Sequence, residues 1–383
     1  MPVVLSGARV LRGDTLVEGL AVVLDGAEIA AVLPESEAPR GASVRALDGG
    51  VLTPGFIDVQ VNGGGGALFN QAPAVDSLVT IGAAHRRYGT TGFLPTVITD
   101  DSAVIDQAMR AVEQAIDRSV PGVLGIHIEG PMLAPTRHGI HDPRHLRGAT
   151  DDLLELLCSL RVGRTLVTVA PEVVGPEAIR RLVDAGVIVA AGHTEATYEQ
   201  MREGFAAGIT GVTHLFNAMS PMANRAPGAV GASLDDHDVW CGLIVDGVHV
   251  HPATLRVALH SRPLDKFMLV TDAMTPVGTD QTAFDLQGRR ITVAGGRCVD
   301  AAGTLAGSVL SMEAAVRNTV ELVGIPPPAA LRLAAASPAA FLGMERLRGD
   351  IAAGMIADLV WLGDDLDVRA SWIAGREWEG NRA

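Results

Sequence analysis

Four residues suited to metal-assisted acid–base chemistry each close an apolar run, and the runs lie far apart in the 383-residue chain. Glu129 ends GVLGIHIEGP, His193 follows VIVAAG, His214 ends GVTH, and Asp272 ends KFMLVTD. One carboxylate and two imidazoles form a three-ligand set that suits Zn²⁺ or Fe²⁺ and leaves an open position for water. Singly, each has a plain alternative: a strand-end histidine is often only hydrogen-bonded, and Asp272 could cap a turn. Four such residues on four strand ends are hard to attribute to chance. A fifth stretch, VLTPGFIDVQVNGGGG from Val51 to Gly66, carries Asp58, Gln60 and Asn62 at every second position. In a strand this period puts the three side chains on one face. The four glycines that follow are expected to let a ligand approach closely.

The elements that must position these residues alternate. Helical periodicity is read over Ser77–Tyr88, Ala103–Asp117, Leu153–Leu160, Pro176–Ala185, Tyr198–Ala207, Pro252–His260, Ser311–Val323 and Pro328–Ser337. Short apolar runs separate them, at Thr91–Val97, Gly122–Ile128, Thr165–Val169, Val187–Ala191, Gly211–His214, Val239–Val245 and Lys266–Val270. Strict alternation implies right-handed crossovers and a parallel sheet. Roughly eight βα units over about 300 residues fit an α/β fold of the (β/α)8 TIM-like barrel type. No GxGxxG follows the first strand, which lowers the doubly wound alternative. In that barrel, Glu129, His193, His214 and Asp272 all fall on the C-terminal face, where catalysis occurs. The two ends of the chain instead alternate apolar and polar positions in short runs with turn signals such as Asp25-Gly26. They predict a small β-sandwich from residues 1–50 and 349–383, flanking a barrel at 51–348.

Composition narrows the partners. A content of 48% hydrophobic and 19% charged residues suits a buried core. A net charge of −14 speaks against nucleic acid and against an anionic membrane. Cys158, Cys241 and Cys298 are widely spaced and fit free thiols in a reducing compartment. No cleavable leader or membrane-length apolar run is apparent, so the expected location is cytoplasmic.

The segments PGFIDVQVNG, HIEGP, GHT, THLFNAM, VDGVHV, LVTDAM and GTLAGS occur in that order. Together they resemble the N-acetylglucosamine-6-phosphate deacetylase family of the amidohydrolase superfamily. The resemblance implies that Glu129, His193 and His214 hold one divalent metal ion per subunit, Zn²⁺ before Fe²⁺. It implies Asp272 as catalytic base and acid, with His141 and His249 beside the scissile amide. It also implies substrate contacts at Ile140, Asn217, Ala218, Asp246, Leu305, Ala306 and Gly307. Arg225 would bind the sugar phosphate of a neighbouring subunit, which requires a homodimer or a dimer of dimers. Most of the superfamily has His-x-His where this chain has Gln60-Val61-Asn62. Neutral amides are poor ligands beside imidazoles, so these two positions read as replacements for a second metal site.

The chemistry implied is hydrolysis of the acetamide of an amino-sugar 6-phosphate, in amino-sugar catabolism and cell-wall sugar recycling. The metal would lower the pKa of its water toward about 7 and polarise the carbonyl. Asp272 would take the water proton and deliver it to the amine, and His141 would donate to the developing oxyanion. Rivals are a deacetylase for the galactosamine isomer, another amidohydrolase, or a non-catalytic metal-binding regulatory protein. A two-metal cyclic-amide hydrolase usually needs His-x-His and a bridging lysine, and the sole lysine, Lys266, starts its strand away from the catalytic face. His127 is expected one layer below the site. His138, His145, His251 and His260 read as structural, and Met132–Arg147 is the candidate lid.

Overall fold

A computed structural model describes residues 2–378. Eight parallel strands form its centre: β1 (Phe56–Val61), β2 (Thr90–Ile98), β3 (Gly125–Glu129), β4 (Arg164–Val169), β5 (Ile188–Ala191), β6 (Gly211–Val212), β7 (Trp240–Leu243) and β8 (Phe267–Leu269). Their order in the sheet is their order in the chain. The first and last strands meet at their C-terminal ends, where Asp272 N–H donates to Gln60 O at 3.0 Å and Asn62 N–H to Ala273 O at 2.9 Å. The sheet is therefore rolled into a TIM-like barrel, as the alternation predicts. β1 is buried at every position, because apolar Ile57, Val59 and Val61 face the helices while Asp58 and Gln60 face the barrel interior.

Helices cover the outside, and their ends are locally encoded. Tyr198–Ala207 opens with a reciprocal capping box between Thr197 and Gln200 and stops at Gly208, which is left-handed. Two expected helices differ in their limits for steric reasons. The helix expected from Pro176 is preceded by a turn that starts at Pro171, and the two meet at a kink at Gly175. The stretch expected as Pro328–Ser337 divides into Pro327–Ala334 and Ala336–Phe341. Pro338 has no N–H and its ring excludes the carbonyl four residues back, so one continuous helix cannot run through it.

The chain ends build two further sheets. One has the order Glu28–Pro34, Leu20–Asp25, Val3–Ser6, Ser43–Ala46; the other joins Arg376–Glu377, Val368–Ile373, Leu359–Leu362, Val51–Pro54, Arg9–Arg12 and Thr15–Val17. Leu5, Val22 and Leu24 of the first share a core with Val10, Leu52, Leu359 and Trp372 of the second. Residues 379–383, within the expected C-terminal sandwich segment, lie outside the described part. One element has no counterpart in the sequence reading. A four-stranded antiparallel sheet, Ala283–Leu286, Arg289–Ala294, Arg297–Val299 and Leu305–Ser308, follows β8. Among the described residues, no helix is long and apolar enough to cross a membrane.

Candidate active site

Glu129, His193 and His214 are brought together from β3 and the residues just past β5 and β6. His214 Nε2 lies 2.9 Å from Glu129 Oε1, His193 Nε2 lies 3.3 Å from the same oxygen, and the two Nε2 atoms are 3.1 Å apart. All three side chains are buried. An ion held tetrahedrally at about 2.0–2.1 Å separates its ligand atoms by about 3.3 Å, so the residues present fit one such ion. The backbone gives a reason for their convergence. His193, His214 and Asp272 all have left-handed φ, at 48°, 32° and 52°. Each strand end therefore turns sharply, at a cost of about 1–3 kcal/mol per residue that the surrounding packing must offset.

The partners of these groups set which atom is free to react. His193 Nδ1 donates to the Arg137 carbonyl at 2.8 Å, which leaves the Nε2 lone pair for a metal. His214 Nδ1 is buried without a partner among the described residues. Thr99 N–H donates to His141 Nδ1 at 3.3 Å. Thr99 Oγ1, 2.8 Å from the same nitrogen, can donate as well; because the backbone N–H can only donate, Nδ1 accepts and the ring proton falls to Nε2, 4.0 Å from Glu129 Oε2. Burial, joined by the neighbouring His193, holds the His141 pKa well below its usual value, so the ring is neutral and can donate one hydrogen bond. Asp246 Oδ2 accepts from His249 Nδ1 at 2.6 Å, while its Oδ1 accepts the backbone N–H groups of Val248 and His249. His249 therefore presents its Nε2 away from Asp246.

Asp272 sits between the other acids. Burial, then the nearby Glu129 charge, raises its pKa to about 6. Burial opposes the ionisation of Glu129 as well, but the imidazoles of His193 and His214 set against its carboxylate hold its pKa well below the usual range. The environments thus separate two carboxyls into a permanent anion and a group that can exchange protons near neutrality. Beneath them, Asp58 is driven up to about 7 by burial, against hydrogen bonds from Thr271 and the Gln60 backbone.

A cavity of about 340 Å³ opens above this floor. Asn62, Glu129, Ile140, His141, His193, His214, Asn217, Ala218, His249, Asp272, Leu305 and Gly307 line it. Two of the expected contacts do not line it: Ala306 is packed into an apolar cluster with Phe284 and Ile291, and Asp246 holds His249. Arg225, expected to act in a neighbouring subunit, is exposed on the 221–227 loop. The glycine expectation needs correcting. Gly63 and Gly64 pair with Leu68 and Ala67 in a short hairpin, and Gly63–Gly66 do not line the cavity. A Cβ on Gly63 would stand 2.5 Å from Ala67 O, so the hairpin's own tightness requires glycine there.

The expected lid is fastened rather than free. Ala134 N–H donates to His193 O at 2.9 Å, and Arg147 N–H to Pro131 O at 3.2 Å. Arg137 also pairs with Glu195. Arg137 and Thr136, which line the cavity, were not singled out by sequence; their place inside the candidate lid is the one signal that could have found them. Leu286 comes from the unforeseen antiparallel sheet and Thr304 from the turn before its last strand, and together they form one cavity wall. Gln287 Nε2 donates to Thr99 O at 2.8 Å and Arg289 Nη1 to Ile140 O at 3.2 Å, fixing that wall to the segment carrying His141. His127 lies below Glu129, with Nε2 2.7 Å from Thr168 Oγ1, as expected for a second layer. His251 caps the helix Pro252–Ser261 through Nδ1.

Comparison with known proteins agrees with this geometry. The model of the amidohydrolase family matches residues 51–377. A protein of Shewanella sp. (strain ANA-3) named N-acetylgalactosamine-6-phosphate deacetylase is 44% identical over 371 residues, covering 96% of this chain and 94% of its own. The crystal structure of N-acetylglucosamine-6-phosphate deacetylase from Pasteurella multocida superposes with a TM-score of 0.96 at 34% identity, covering 99% and 100% of the two chains. A mutant N-acetyl-D-glucosamine-6-phosphate deacetylase from Mycobacterium smegmatis, solved in complex with N-acetyl-D-glucosamine-6-phosphate, gives 0.90 at 34% identity, covering 98% of each chain.

Proposed function

The chain belongs to the amidohydrolase family, and we propose that it hydrolyses N-acetyl-D-glucosamine 6-phosphate to D-glucosamine 6-phosphate and acetate. One observation carries this reading: the converging atoms of Glu129, His193 and His214 share a cavity with Asp272, whose pKa is raised to about 6. The first three residues would hold one divalent ion, zinc in the first instance given two imidazoles and a carboxylate. When bound, such an ion supplies activation of a water near neutral pH and polarisation of the acetyl carbonyl.

The chain's own groups do the rest. Asp272, ionised, accepts the proton of the attacking water and later releases it to the nitrogen as the C–N bond breaks. His141 Nε2–H donates to the oxygen that gains charge, a role its neutral state and fixed tautomer support. His249 is pre-oriented by Asp246 and anchors the substrate beside the scissile amide, so that binding energy positions the acetyl group. Gln60 and Asn62 occupy the position of a second metal with neutral donors.

A dianionic substrate needs an unpaired cation beside it. Among the described residues, Arg137 is the one arginine lining the cavity, and Glu195 already pairs with it. This supports a homodimer in which Arg225 reaches the neighbouring active site. Arg225→Ala is expected to raise KM by about 10-fold or more with a smaller change in kcat, the loss of one charge-assisted contact of about 1.5–3 kcal/mol. Sedimentation should give a dimer, and a monomer with full activity would sink this reading. The three free thiols suit a reducing, cytoplasmic location.

The direct test is acetate release from N-acetylglucosamine 6-phosphate and from its galactosamine isomer, side by side. The second reading, preference for the galactosamine isomer, rests on the 44%-identical Shewanella protein. Turnover of the glucosamine substrate with the higher kcat/KM supports the first; the reverse order supports the second; turnover of neither ends both.

A further inference from the structure

Gln60 and Asn62 do more than stand where other amidohydrolases have histidine. Asn62 Nδ2 donates to Asp272 Oδ1 at 2.7 Å, and Gln60 Nε2 donates to the same oxygen at 3.2 Å. The second hydrogen on Gln60 Nε2 points between the Glu129 oxygens, at 3.2 and 3.3 Å. Only the NH₂ end of an amide can lie against two carboxylates, because the carbonyl end has no hydrogen to offer. That requirement fixes both amide orientations. Asp272 Oδ2 accepts no hydrogen bond among the described residues, and Asp272 lines the cavity. The backbone of Asp272 is held separately: its N–H donates to Gln60 O at 3.0 Å and its carbonyl accepts from Ser308 N–H at 2.8 Å.

We propose, resting on the deacetylase reading above, that Gln60 and Asn62 are positioning residues that saturate Asp272 Oδ1 and confine proton transfer to Oδ2. A carboxylate free to rotate could take the proton on one oxygen and be unable to return it along the same path. With Oδ1 held by two donors, its lone pairs are engaged and its basicity falls. Oδ2 then accepts one proton as the water oxygen bonds to the acetyl carbon. The same proton passes from Oδ2 to the amide nitrogen as the C–N bond breaks, so water plus amide gives amine plus acetic acid. Two neutral amides thereby hold the acid/base in place without the cation that His-x-His would bind. The bridge through Gln60 also ties the orientation of Asp272 to that of Glu129.

Asn62→Leu and Gln60→Leu remove the donors. Each is expected to lower kcat by about 10–100-fold, the scale seen when a residue that orients a site group is lost. KM, the dissociation constant of the amino-sugar product and a metal content of one ion per chain should stay within threefold of wild type. A kcat within threefold of wild type in folded, metal-loaded variants would overturn the proposal. So would a kcat loss matched by metal loss, which would assign the amides to the metal site. If leucine at 62 is not tolerated, Asn62→Ser, too short to reach Asp272, carries the same reading. Wild-type protein that deacetylates neither sugar phosphate ends the functional reading itself, whereas active wild type with unaffected variants ends only this inference.

Discussion

Asp272→Asn is expected to reduce deacetylation by about 10⁴-fold, at the upper end for loss of one acid–base group because a single side chain serves both proton transfers. An amide cannot accept the water proton, and it has no acidic proton to give the departing amine. The substitution is nearly isosteric, so folding and metal content should be unchanged; residual turnover near wild type would refute the assignment. The wild-type pH profile follows from the same residue. A base works only when deprotonated, so kcat/KM should fall as pH drops through its folded-state pKa, raised to about 6 by burial and by Glu129. A bound divalent cation favours the anion, which moves the acidic limb below that value in metal-loaded protein. The acidic limb should vanish in the Asn variant, where no titrating carboxyl remains at 272.

Glu129→Gln should abolish retained metal and cut turnover by at least about 10³-fold, since several kcal/mol of transition-state stabilisation go with the ion. Glu129 would be the sole anionic ligand of the three, and its Oε1 lies 2.9 and 3.3 Å from the two imidazole nitrogens. Without its charge, the site offers two neutral rings beside the amides of Gln60 and Asn62. Elemental analysis should read one ion per chain in wild type and none in the variant after dialysis. Chelation of wild type should abolish turnover reversibly and lower the melting temperature, by an amount that grows with free metal; at 100 times Kd the ion contributes about 2.7 kcal/mol. Two tightly held ions per wild-type chain would contradict the one-metal reading of Gln60 and Asn62.

Much of this arrangement can be read from the amino-acid order because its determinants are local. A strand's two-residue period places Asp58, Gln60 and Asn62 on one face wherever that strand ends up. Alternating helical and apolar runs dictate crossovers, and crossovers dictate that Glu129, His193, His214 and Asp272 emerge on the same face. The residue types alone then restrict the chemistry to a metal and a proton carrier. Capping signals such as Thr197 with Gln200 also lie within one turn of the helix they start.

Tertiary structure decided what depends on separations far larger than one element. The Arg137 carbonyl that selects the His193 tautomer lies 56 residues away, and the Thr99 N–H that makes His141 a donor lies 42 residues away. Gln60 meets Asp272 across 212 residues. No spacing rule reaches so far. The antiparallel sheet from Ala283 to Ser308 was hidden because it interrupts the βα rhythm with short strands of mixed burial. Gly63–Gly66 show the reverse error: their flexibility is local, but the use made of it depends on Ala67 and Thr275 packed against them. The chain order thus determined which groups could do chemistry and on which face they stand. The closed barrel decided which atom of each group is bound and which is free, because hydrogen-bond direction is set only once distant strands are in contact.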